Sequence, residues 1–350
     1  MIIKTTNYRG IIIILLFMIL HVHGQEENNH RFLIMNYNVE NFFDCVHDSL
    51  KNDNEFLPTG IRAWNSTKYY RKQANIAKVI TAIGGWNAPE LIGICEVENE
   101  KCMRDLTKFS GLSHLQYKYL HHDSPDPRGI DVALLYQPQR FKIIHDEAIP
   151  IHFQDEPNKK TRDILFASGI IATGDTLHLF ICHFPSRLGG EMESEDQRFV
   201  VASVLRTKVD SIFAATAKPN IVIMGDFNDY PTNRSILNIL KANPLSDNPA
   251  PDSLYNLMYK LHTEGKGSNK HNGEWGALDQ IIISGNLLNQ QNTFFTTQTN
   301  AHFFDASFLL ENDKTFLGKQ PFRTYVGMKY QGGYSDHLPV YAEFVIKTSN

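Results

Sequence analysis

The sequence predicts a layered α/β fold, because apolar strand-like runs alternate with amphipathic helical segments along one chain of 350 residues. Hydrophobic residues make up 42% of the chain and charged residues 21%, as in ordinary soluble globular proteins. This composition excludes collagen-like, disordered and polytopic membrane proteins. The formal net charge of −4 argues against a protein that binds nucleic acid mainly by counterion release.

Residues 1–24 have the features of a secretory signal peptide. Lys4 and Arg9 form a basic start, an unbroken apolar run follows at 11–20, and Gly24 offers a small residue for cleavage. A membrane anchor is the alternative, but a helix needs about 20 apolar residues to span a bilayer. We therefore expect a secreted or periplasmic protein without stable membrane insertion. Removal of the two basic residues changes the net charge from −4 to −6.

Strand-like runs follow, and most of them are nearly continuous in Val, Ile and Leu. Such runs are typical of strands that are covered on both faces of a sheet. The runs are Phe32–Val39, Leu91–Glu96, Asp131–Tyr136, Phe141–Ile149, Ile164–Ala172, Leu177–Cys182, Ile221–Met224, Leu278–Ile283 and Val340–Ile346.

Two further segments, within residues 76–83 and 199–212, place apolar residues at the spacing of an amphipathic helix. This mixture of strands and helices predicts packed sheets with helices outside them. Neither an internal repeat nor a low-complexity linker interrupts the chain, so residues 25–350 are predicted to form one domain. Residues 289–333 lack a clear pattern, and we expect a long functional loop or two irregular hairpins there.

The chain beyond residue 24 contains four cysteines, Cys45, Cys95, Cys102 and Cys182. Export would permit disulfides, and four cysteines allow three pairings that spacing cannot distinguish. Cys95 and Cys182 stand at the ends of apolar runs, which favours buried free thiols. A chain of this length also needs no disulfides to build a core.

Polar residues stand where the apolar strands begin or end. An acid in such a place is most often a turn residue or a helix cap, and a single histidine there is ordinarily structural. Their number changes this interpretation, because strand ends in layered α/β folds converge on one crevice. The residues are Asn38, Glu40, Glu96, Asp131, His183, Asp226, Asn228, Asp279, Asp336 and His337.

Three of these residues, Glu40, Glu96 and Asp336, offer hard oxygen ligands, and Asn38 is a neutral helper. Mg²⁺ and Mn²⁺ bind a few carboxylates and complete their coordination with water or substrate phosphate. Zinc is disfavoured, because no group of His and Cys residues has the spacing of a structural zinc site. The sequence therefore predicts Mg²⁺ as cofactor, with Mn²⁺ or Ca²⁺ as alternatives.

The histidines His183 and His337 can exchange protons near neutral pH. A neighbouring carboxylate would fix the tautomer of each ring, and Asp131 and Asp279 are the candidate partners. Asn228 could hold a phosphoryl oxygen through its amide. The chain has neither a GxxxxGK[ST] loop nor a GxSxG turn, which excludes P-loop NTPases and serine hydrolases. Together these groups indicate attack by water on a phosphate ester.

The motifs around these residues occur in a fixed order from Met35 to Phe344. They are MNYNVENFF (35–43), IGICEVEN (92–99), RGIDVALLY (128–136), ICHFPSR (181–187), IVIMGDFND (221–229), ALDQIII (277–283) and YSDHLPVYAEF (334–344). In this order they resemble the endonuclease/exonuclease/phosphatase superfamily, which includes pancreatic-type deoxyribonuclease and the abasic-site endonucleases. The resemblance implies a four-layer α/β/β/α sandwich, with two mixed sheets packed face to face and helices outside.

Residue by residue, the resemblance makes Glu96 the central metal ligand, with Asp336 and Asn38 beside it. Glu40 matches an acid of the abasic-site branch, and this match adds it to the implied metal ligands.

The resemblance also implies that Asp226 and Asn228 lie under the scissile phosphate, with Asp226 orienting or activating water. It implies that His337 pairs with Asp279 and acts either as general base or as phosphate-binding cation. His183 matches the second histidine of the deoxyribonuclease branch.

One departure from the family pattern concerns the partner of this second histidine. The deoxyribonuclease branch orients it with a Glu near the start of the strand that corresponds to residues 131–136. Here the nearest acid is Asp131, which we therefore expect to pair with His183. Arg128 stands close by as a candidate clamp for phosphate, although an ordinary surface arginine fits the sequence equally well.

The sequence thus predicts a secreted metal-dependent phosphodiesterase, with nucleic acid as the expected substrate and no obligate protein partner. One alternative is a phosphoesterase of the same fold that acts on a phospholipid head group or a small phosphate ester. The Phe-rich residues 294–310 would contact a membrane if exposed, and would otherwise pack beneath the loop. Another alternative is a binding protein that has lost catalysis.

Overall fold

The computed structural model describes residues 28–348, which form two seven-stranded β-sheets with helices on their outer faces. The predicted signal peptide lies outside the described residues. A membrane-spanning helix is not found between Asn28 and Thr348.

The strands are numbered in chain order. They are β1 (Asn28–Phe42), β2 (Leu91–Val97), β3 (Lys118–His121), β4 (Asp131–Tyr136), β5 (Phe141–Ile149), β6 (Ile164–Ile171), β7 (Thr176–His183), β8 (Asn220–Asp226), β9 (Ala242–Asn243), β10 (Leu254–Asn256), β11 (Asn269–His271), β12 (Glu274–Gly276), β13 (Asp279–Ser284), β14 (Phe294–Phe295), β15 (Ala301–Phe303), β16 (Leu310–Asn312), β17 (Lys319–Pro321), β18 (Tyr325–Val326), β19 (Lys329–Tyr330) and β20 (Val340–Thr348). The α-helices are α1 (Ser66–Gly84), α2 (Glu100–Lys108), α3 (Glu195–Ala215) and α4 (Tyr259–Thr263).

The first sheet has the strand order β14-β20-β1-β2-β4-β3, and β15 also pairs with β20. Within it β1 and β2 are parallel, whereas β20 is antiparallel to β1 and β4 is antiparallel to β2. The second sheet has the order β5-β6-β7-β8-β13-β10-β9. Here β7 and β8 are parallel, and β13 is antiparallel to β8.

The sheets and helices form the expected four layers. Along β1, Leu33 and Met35 belong to the hydrophobic cluster that contains the buried residues of α1 and α2, whereas Ile34 belongs to the cluster between the two sheets. Successive strand residues point to opposite faces, so one strand serves both clusters. On the far side, Leu205 and Val209 of α3 pack on the outer face of the second sheet.

Every predicted strand and both predicted helices are present. The largest shift is in β1, which begins at Asn28 rather than Phe32. Both helices are longer than their apolar patterns; α1, for example, begins at Ser66, where the side chain of Asn65 accepts a hydrogen bond from the Lys68 N–H. Helix α2 and the edge strand β3 were not predicted.

The segment 289–333 forms two short hairpins, β16–β17 and β18–β19, together with two strands that pair with β20. This agrees with the expectation of irregular hairpins. Phe294, Phe295 and Leu309 are buried, and the other phenylalanines of the Phe-rich stretch are partly buried and pack against the core. All four cysteines are free, and Cys95 and Cys182 are buried as predicted.

Candidate active site

The predicted site residues meet at one edge of the two sheets, which we call the active-site edge. Strands β1, β2, β7 and β8 end there, and β4, β13 and β20 begin there, because each of these three is antiparallel to a neighbour that ends there. The topology therefore collects side chains from all parts of the chain. In the second sheet, His183 lies opposite Asp226, and Asp226 lies opposite Asp279.

A glycine allows β7 and β8 to approach closely just before the site. Gly225 has φ 153°, and a Cβ built on it would lie 1.9 Å from the carbonyl oxygen of Cys182. Because any larger residue would push the strands apart, the GDFN sequence holds the carboxylate of Asp226 beside the end of β7.

His337 and Asp279 form the predicted pair. The Nδ1 of His337 lies 2.6 Å from Asp279 Oδ2, and its Nε2 lies 3.9 Å from Asp226 Oδ2. Ser335 holds the start of this segment, because its Oγ donates to Asn38 O and accepts from the His337 N–H. One ring nitrogen is thus fixed by Asp279, while the other faces the centre of the site.

His183 approaches the same centre from the end of β7. Its Nε2 lies 3.6 Å from Asp226 Oδ2 and 3.9 Å from Glu96 Oε1. Its Nδ1 is buried and has no hydrogen-bond partner among the described residues. We call His183, Asp226, Asp279 and His337 the histidine half of the site.

The predicted pairing of Asp131 with His183 is wrong. Asp131 Oδ2 lies 3.0 Å from His121 Nε2, and its Oδ1 accepts a hydrogen bond from the Ser124 N–H at 2.9 Å. Because His121 lies opposite Ala133 in the antiparallel β3–β4 pair, the Asp131 side chain shares its face with His121. No pattern in the sequence indicated this partner, since β3 itself was not predicted.

The two histidines have opposite electrostatic environments. Burial lowers the pKa of His183 well below its usual range, and the positive charges of Arg162, Arg128 and His337 act in the same direction. Burial would also lower the pKa of His337, but the carboxylates of Asp279 and Asp226 outweigh it and raise this pKa well above its usual range. At neutral pH His337 is therefore the charged ring and His183 the neutral one.

Asn38 connects the histidine half to the predicted metal ligands. Its Nδ2 donates to Asp226 Oδ2 at 3.0 Å and to Glu96 Oε1 at 3.5 Å, and its Oδ1 accepts from the Glu40 N–H. Glu40 and Glu96 have φ values of 53° and 67°. Such values are uncommon outside glycine and occur where surrounding structure enforces a functional geometry. The irregular ends of β1 and β2 thus turn these carboxylates toward the site.

Arg323, which the sequence did not single out, bridges two predicted metal ligands. Its Nη2 lies 2.8 Å from Asp336 Oδ2, and its Nε donates to Glu40 Oε1 at 3.3 Å. The other carboxylate oxygen of Glu40 accepts a hydrogen bond from the Thr324 N–H at 2.6 Å. Both oxygens of Glu40 are therefore engaged by the segment just before β18.

Lys72 is a second missed cation, and it lies almost fully buried in α1. Its Nζ donates to Thr324 Oγ1 at 2.5 Å and to the carbonyl oxygen of Tyr334 at 2.6 Å. Burial lowers the pKa of Lys72 to about 8, although the negative charges of Glu40 and Asp336 oppose this shift. We call Glu40, Glu96 and Asp336, with Arg323 and Lys72, the carboxylate half of the site.

The carboxylate half fits a divalent cation by the chemistry of its donors. The positively charged Arg323 already contacts Glu40 and Asp336. The negative charges of Asp336, Glu40 and Glu96 raise the pKa of Arg323, although burial acts in the opposite direction. Carboxylates around one positive charge suit Mg²⁺, Mn²⁺ or Ca²⁺. These residues, with Asn38 beside them, would hold the metal.

In this structure the carboxylate oxygens of the predicted ligand set are not drawn tightly together. Two groups within residues 28–348 do bring three potential ligand atoms within 4.8 Å of one another, namely Asp226, Asp279 and His337, and His121, Asp123 and Asp131. The first is the hydrogen-bonded histidine half. Within this described part of the chain, Glu40, Glu96 and Asp336 form no such group, and the Arg323 guanidinium contacts both Glu40 and Asp336.

Asn228 takes a partly different place from the one expected, whereas the role of Arg128 as a phosphate clamp stays a prediction. Asn228 has φ 49°, its N–H donates to Asp226 Oδ1, and its Nδ2 donates to the carbonyl oxygen of Phe184 at 3.0 Å. At most one side-chain N–H of Asn228 therefore remains for a phosphoryl oxygen. Arg128 is half exposed and lies near enough to His183 to act on its pKa, as a clamp beside the site would.

Comparisons with known proteins agree with this architecture. Solved structures with the same fold include a humanized zebrafish (D. rerio) TDP2 and the human Nocturnin catalytic domain with bound sulfate. The TDP2 match has a TM-score of 0.53 at 15% identity and covers 90% of this chain and 98% of that one. The Nocturnin match has a TM-score of 0.52 at 17% identity and covers 90% and 94%.

A third structure, an endonuclease/exonuclease/phosphatase family protein from Bacteroides thetaiotaomicron, matches with a TM-score of 0.54 at 14% identity and covers 92% and 100%. No curated protein sequence matches the chain. The model of the endonuclease/exonuclease/phosphatase family matches residues 33–346, which include every predicted site residue. The chain belongs to this family of phosphoesterases.

Proposed function

We propose that this protein is a metal-dependent phosphodiesterase that cleaves nucleic acid by attack of water on a phosphodiester bond. The proposal rests on one observation: the histidine half and the carboxylate half lie side by side at the active-site edge. A charged histidine with its aspartate lies beside a set of carboxylates suited to a divalent cation, and Asn38 donates hydrogen bonds to both halves.

The histidine half would bind the phosphoryl group and move protons. His337, held in a single tautomer by Asp279, presents a positively charged Nε2 that can bind a phosphoryl oxygen or protonate the leaving alcohol. Asp226 lies between the two histidines and can orient the attacking water. His183, kept neutral by burial, can donate a hydrogen bond to the same phosphoryl group.

The carboxylate half would bind the divalent cation. A bound divalent cation acts as a Lewis acid that stabilises negative charge on the phosphoryl oxygens. Glu96, Glu40 and Asp336 would hold it, and Mg²⁺ is the proposed metal. Asn38 would keep the Glu96 carboxylate oriented through the hydrogen bond to Oε1.

Nucleic acid is the proposed substrate class, although a net charge of −4 gives little general attraction to it. A zebrafish TDP2 with a TM-score of 0.52 to this chain was solved in complex with a single-strand DNA product. The lipid alternative rested on exposed aromatic residues at 294–310, but Phe294 and Phe295 are buried and the other phenylalanines there are partly buried against the core, which weakens it.

The test is plasmid cleavage by purified chain lacking residues 1–24, with Mg²⁺ and with EDTA. We expect nicking that requires the metal and disappears in the double variant His183→Ala/His337→Ala. Intact plasmid with a folded wild-type protein would contradict the nuclease proposal.

We propose also that residues 1–24 direct export. Expression of the full chain should then yield an extracellular or periplasmic product whose mass corresponds to cleavage near Gly24. Full-length protein retained inside the cells would contradict this.

A further inference from the structure

A small cavity adjoins the carboxylate half and contains two arginines. Its volume is about 180 Å³, and its lining includes Glu40, Asn41, Arg62, Arg323 and Tyr325. One wall is therefore a predicted metal ligand, and the others carry positive charge and an aromatic ring. This is the space of roughly six water molecules, which admits a phosphate group but not a base pair.

Arg62 is fixed in this cavity. Its guanidinium lies 5.2 Å from the ring centroid of Phe56 and 5.0 Å from that of Tyr325. It also donates to Glu55 Oε2 at 2.9 Å and to the carbonyl oxygen of Gly327 at 3.0 Å. Stacking and hydrogen bonds together hold the planar group in one orientation.

Arg323 is different, because its present partners are carboxylates that a metal would also need. It holds Glu40 and Asp336, while its side chain is 42% exposed. A divalent cation on these carboxylates would repel the guanidinium and take over its oxygen partners. Since Arg323 already lines the cavity, its guanidinium would then be free to turn toward an anion there.

We propose that Arg323 is exchanged for the metal and then, with Arg62, binds the phosphate that neighbours the scissile one in the substrate. The site would therefore prefer a nucleic acid chain, in which phosphates recur along the strand, over an isolated phosphodiester. Arginine suits this purpose because its fork of N–H groups matches the oxygens of a phosphate. The inference rests on the proposed function for its substrate and on the geometry of Arg323 for the exchange.

The exchange is tested without catalysis, by titrating metal-free protein with Mn²⁺ and measuring free Mn²⁺ by electron paramagnetic resonance. We expect Arg323→Ala to bind Mn²⁺ more tightly than wild type by roughly tenfold or more, since a charged hydrogen bond no longer competes. Arg104→Ala, on the exposed surface of α2, is the matched control and should bind as wild type does. Equal or weaker binding by folded Arg323→Ala would overturn the exchange.

The phosphate preference is tested with a dinucleoside monophosphate and the same dinucleotide carrying a terminal 5′- or 3′-phosphate. For wild type and Arg104→Ala, we expect one terminal phosphate to raise kcat/KM by roughly tenfold or more, the worth of a charged hydrogen bond. Arg323→Ala should lose most of this ratio, and Arg323→Lys should keep part of it.

The outcomes separate the two proposals. If folded wild-type protein cleaves none of these substrates with Mg²⁺ or Mn²⁺, the proposed function fails, and the Mn²⁺ titration still tests the exchange. If it cleaves all of them with equal kcat/KM, or if the preference survives in Arg323→Ala, the phosphate subsite is wrong while the proposed function stands.

Discussion

The two halves of the active site are built in different ways. In the histidine half, Asp226 and Asp279 lie opposite each other in one sheet, and His337 is fixed against Asp279 at 2.6 Å. In the carboxylate half, Glu40 and Asp336 are bridged by an arginine from an irregular segment. The first half is set by strand register, whereas the second depends on cations that come from elsewhere in the chain.

This difference follows from charge. The histidine half balances its carboxylates with a proton, because His337 is charged and lies against Asp279. In the carboxylate half, Glu40 is bonded by Arg323 and Thr324, and burial together with Asp336 raises the pKa of Glu40. Arg323 and Lys72 offset that repulsion. We therefore expect substitutions in the first half to affect chemistry, and those in the second to affect metal binding and stability.

The largest effect is expected from His337→Ala. Loss of a positioned proton-transfer group should lower kcat by roughly 10²–10⁴-fold, while far-ultraviolet circular dichroism and melting temperature show a folded protein. His114→Ala, on an exposed turn, is the control and should retain wild-type kcat. A loss of less than tenfold would show that His337 is not the group that binds or protonates the phosphoryl oxygens.

Glu96→Gln, in the carboxylate half, should change the Mg²⁺ concentration that the enzyme requires. Replacing a charged ligand by an amide should raise the Mg²⁺ concentration for half-maximal activity by at least the roughly 10- to 100-fold that loss of an outer-shell partner typically costs. It should also reduce the rise in melting temperature that Mg²⁺ produces in wild type. The exposed Glu274→Gln serves as control. An unchanged Mg²⁺ requirement would place the metal away from Glu96.

The sequence predicted the histidine half better than the carboxylate half, for a physical reason. His183, Asp226 and Asp279 stand at the ends of continuous apolar strands, so their convergence follows from sheet topology. Arg323 lies in a segment with no periodic pattern, and no local rule indicates which distant carboxylate it will meet. The fold was predictable to the same extent: the long apolar strands were found, and the short edge strand β3 was missed.

The sequence did contain a sign that Lys72 is buried, although Lys72 was not predicted as a site residue. It stands four residues before Ile76 and therefore lies on the same apolar face of the predicted helix. A lysine on a buried helix face requires a partner or a lowered pKa. For Asp131 no such signal was present. Its partner, His121, belongs to a strand too short to show a pattern, and the predicted pairing with His183 was therefore wrong.

Lys72→Met should separate stability from catalysis within the carboxylate half. Removing a buried cation that bonds Thr324 and Tyr334 should lower the free energy of unfolding of the metal-free protein by about 1–3 kcal/mol. The loss should be smaller in saturating Mg²⁺, because the metal also offsets the repulsion between carboxylates. Chemical denaturation with and without Mg²⁺ measures both values, with the exposed Lys218→Met as control. The same loss in both conditions would show that Lys72 does not act on the metal carboxylates.

A buried carboxylate just beyond Glu96 provides the smallest and most specific test of this charge argument. Glu98 lies two residues further along the chain, and burial, with repulsion from Asp44, Asp53 and Asp48, raises its pKa to about 8. A proton retained on Glu98 offsets the repulsion between carboxylates there, as Arg323 and Lys72 offset it at Glu40.

The pH dependence of stability should reveal this proton. An unfolded Glu titrates near pH 4.3, so between that pH and about 8 the folded protein binds more protons than the unfolded protein. Stability should therefore fall as pH rises through this window. The isosteric variant Glu98→Gln lacks the titration, and its free energy of unfolding should gain about 2 kcal/mol over wild type between pH 5 and pH 6.5. Exposed Glu100→Gln should show no such gain. Parallel pH profiles for wild type and Glu98→Gln would mean that a cation, and not a proton, compensates this carboxylate, as in the neighbouring half of the site.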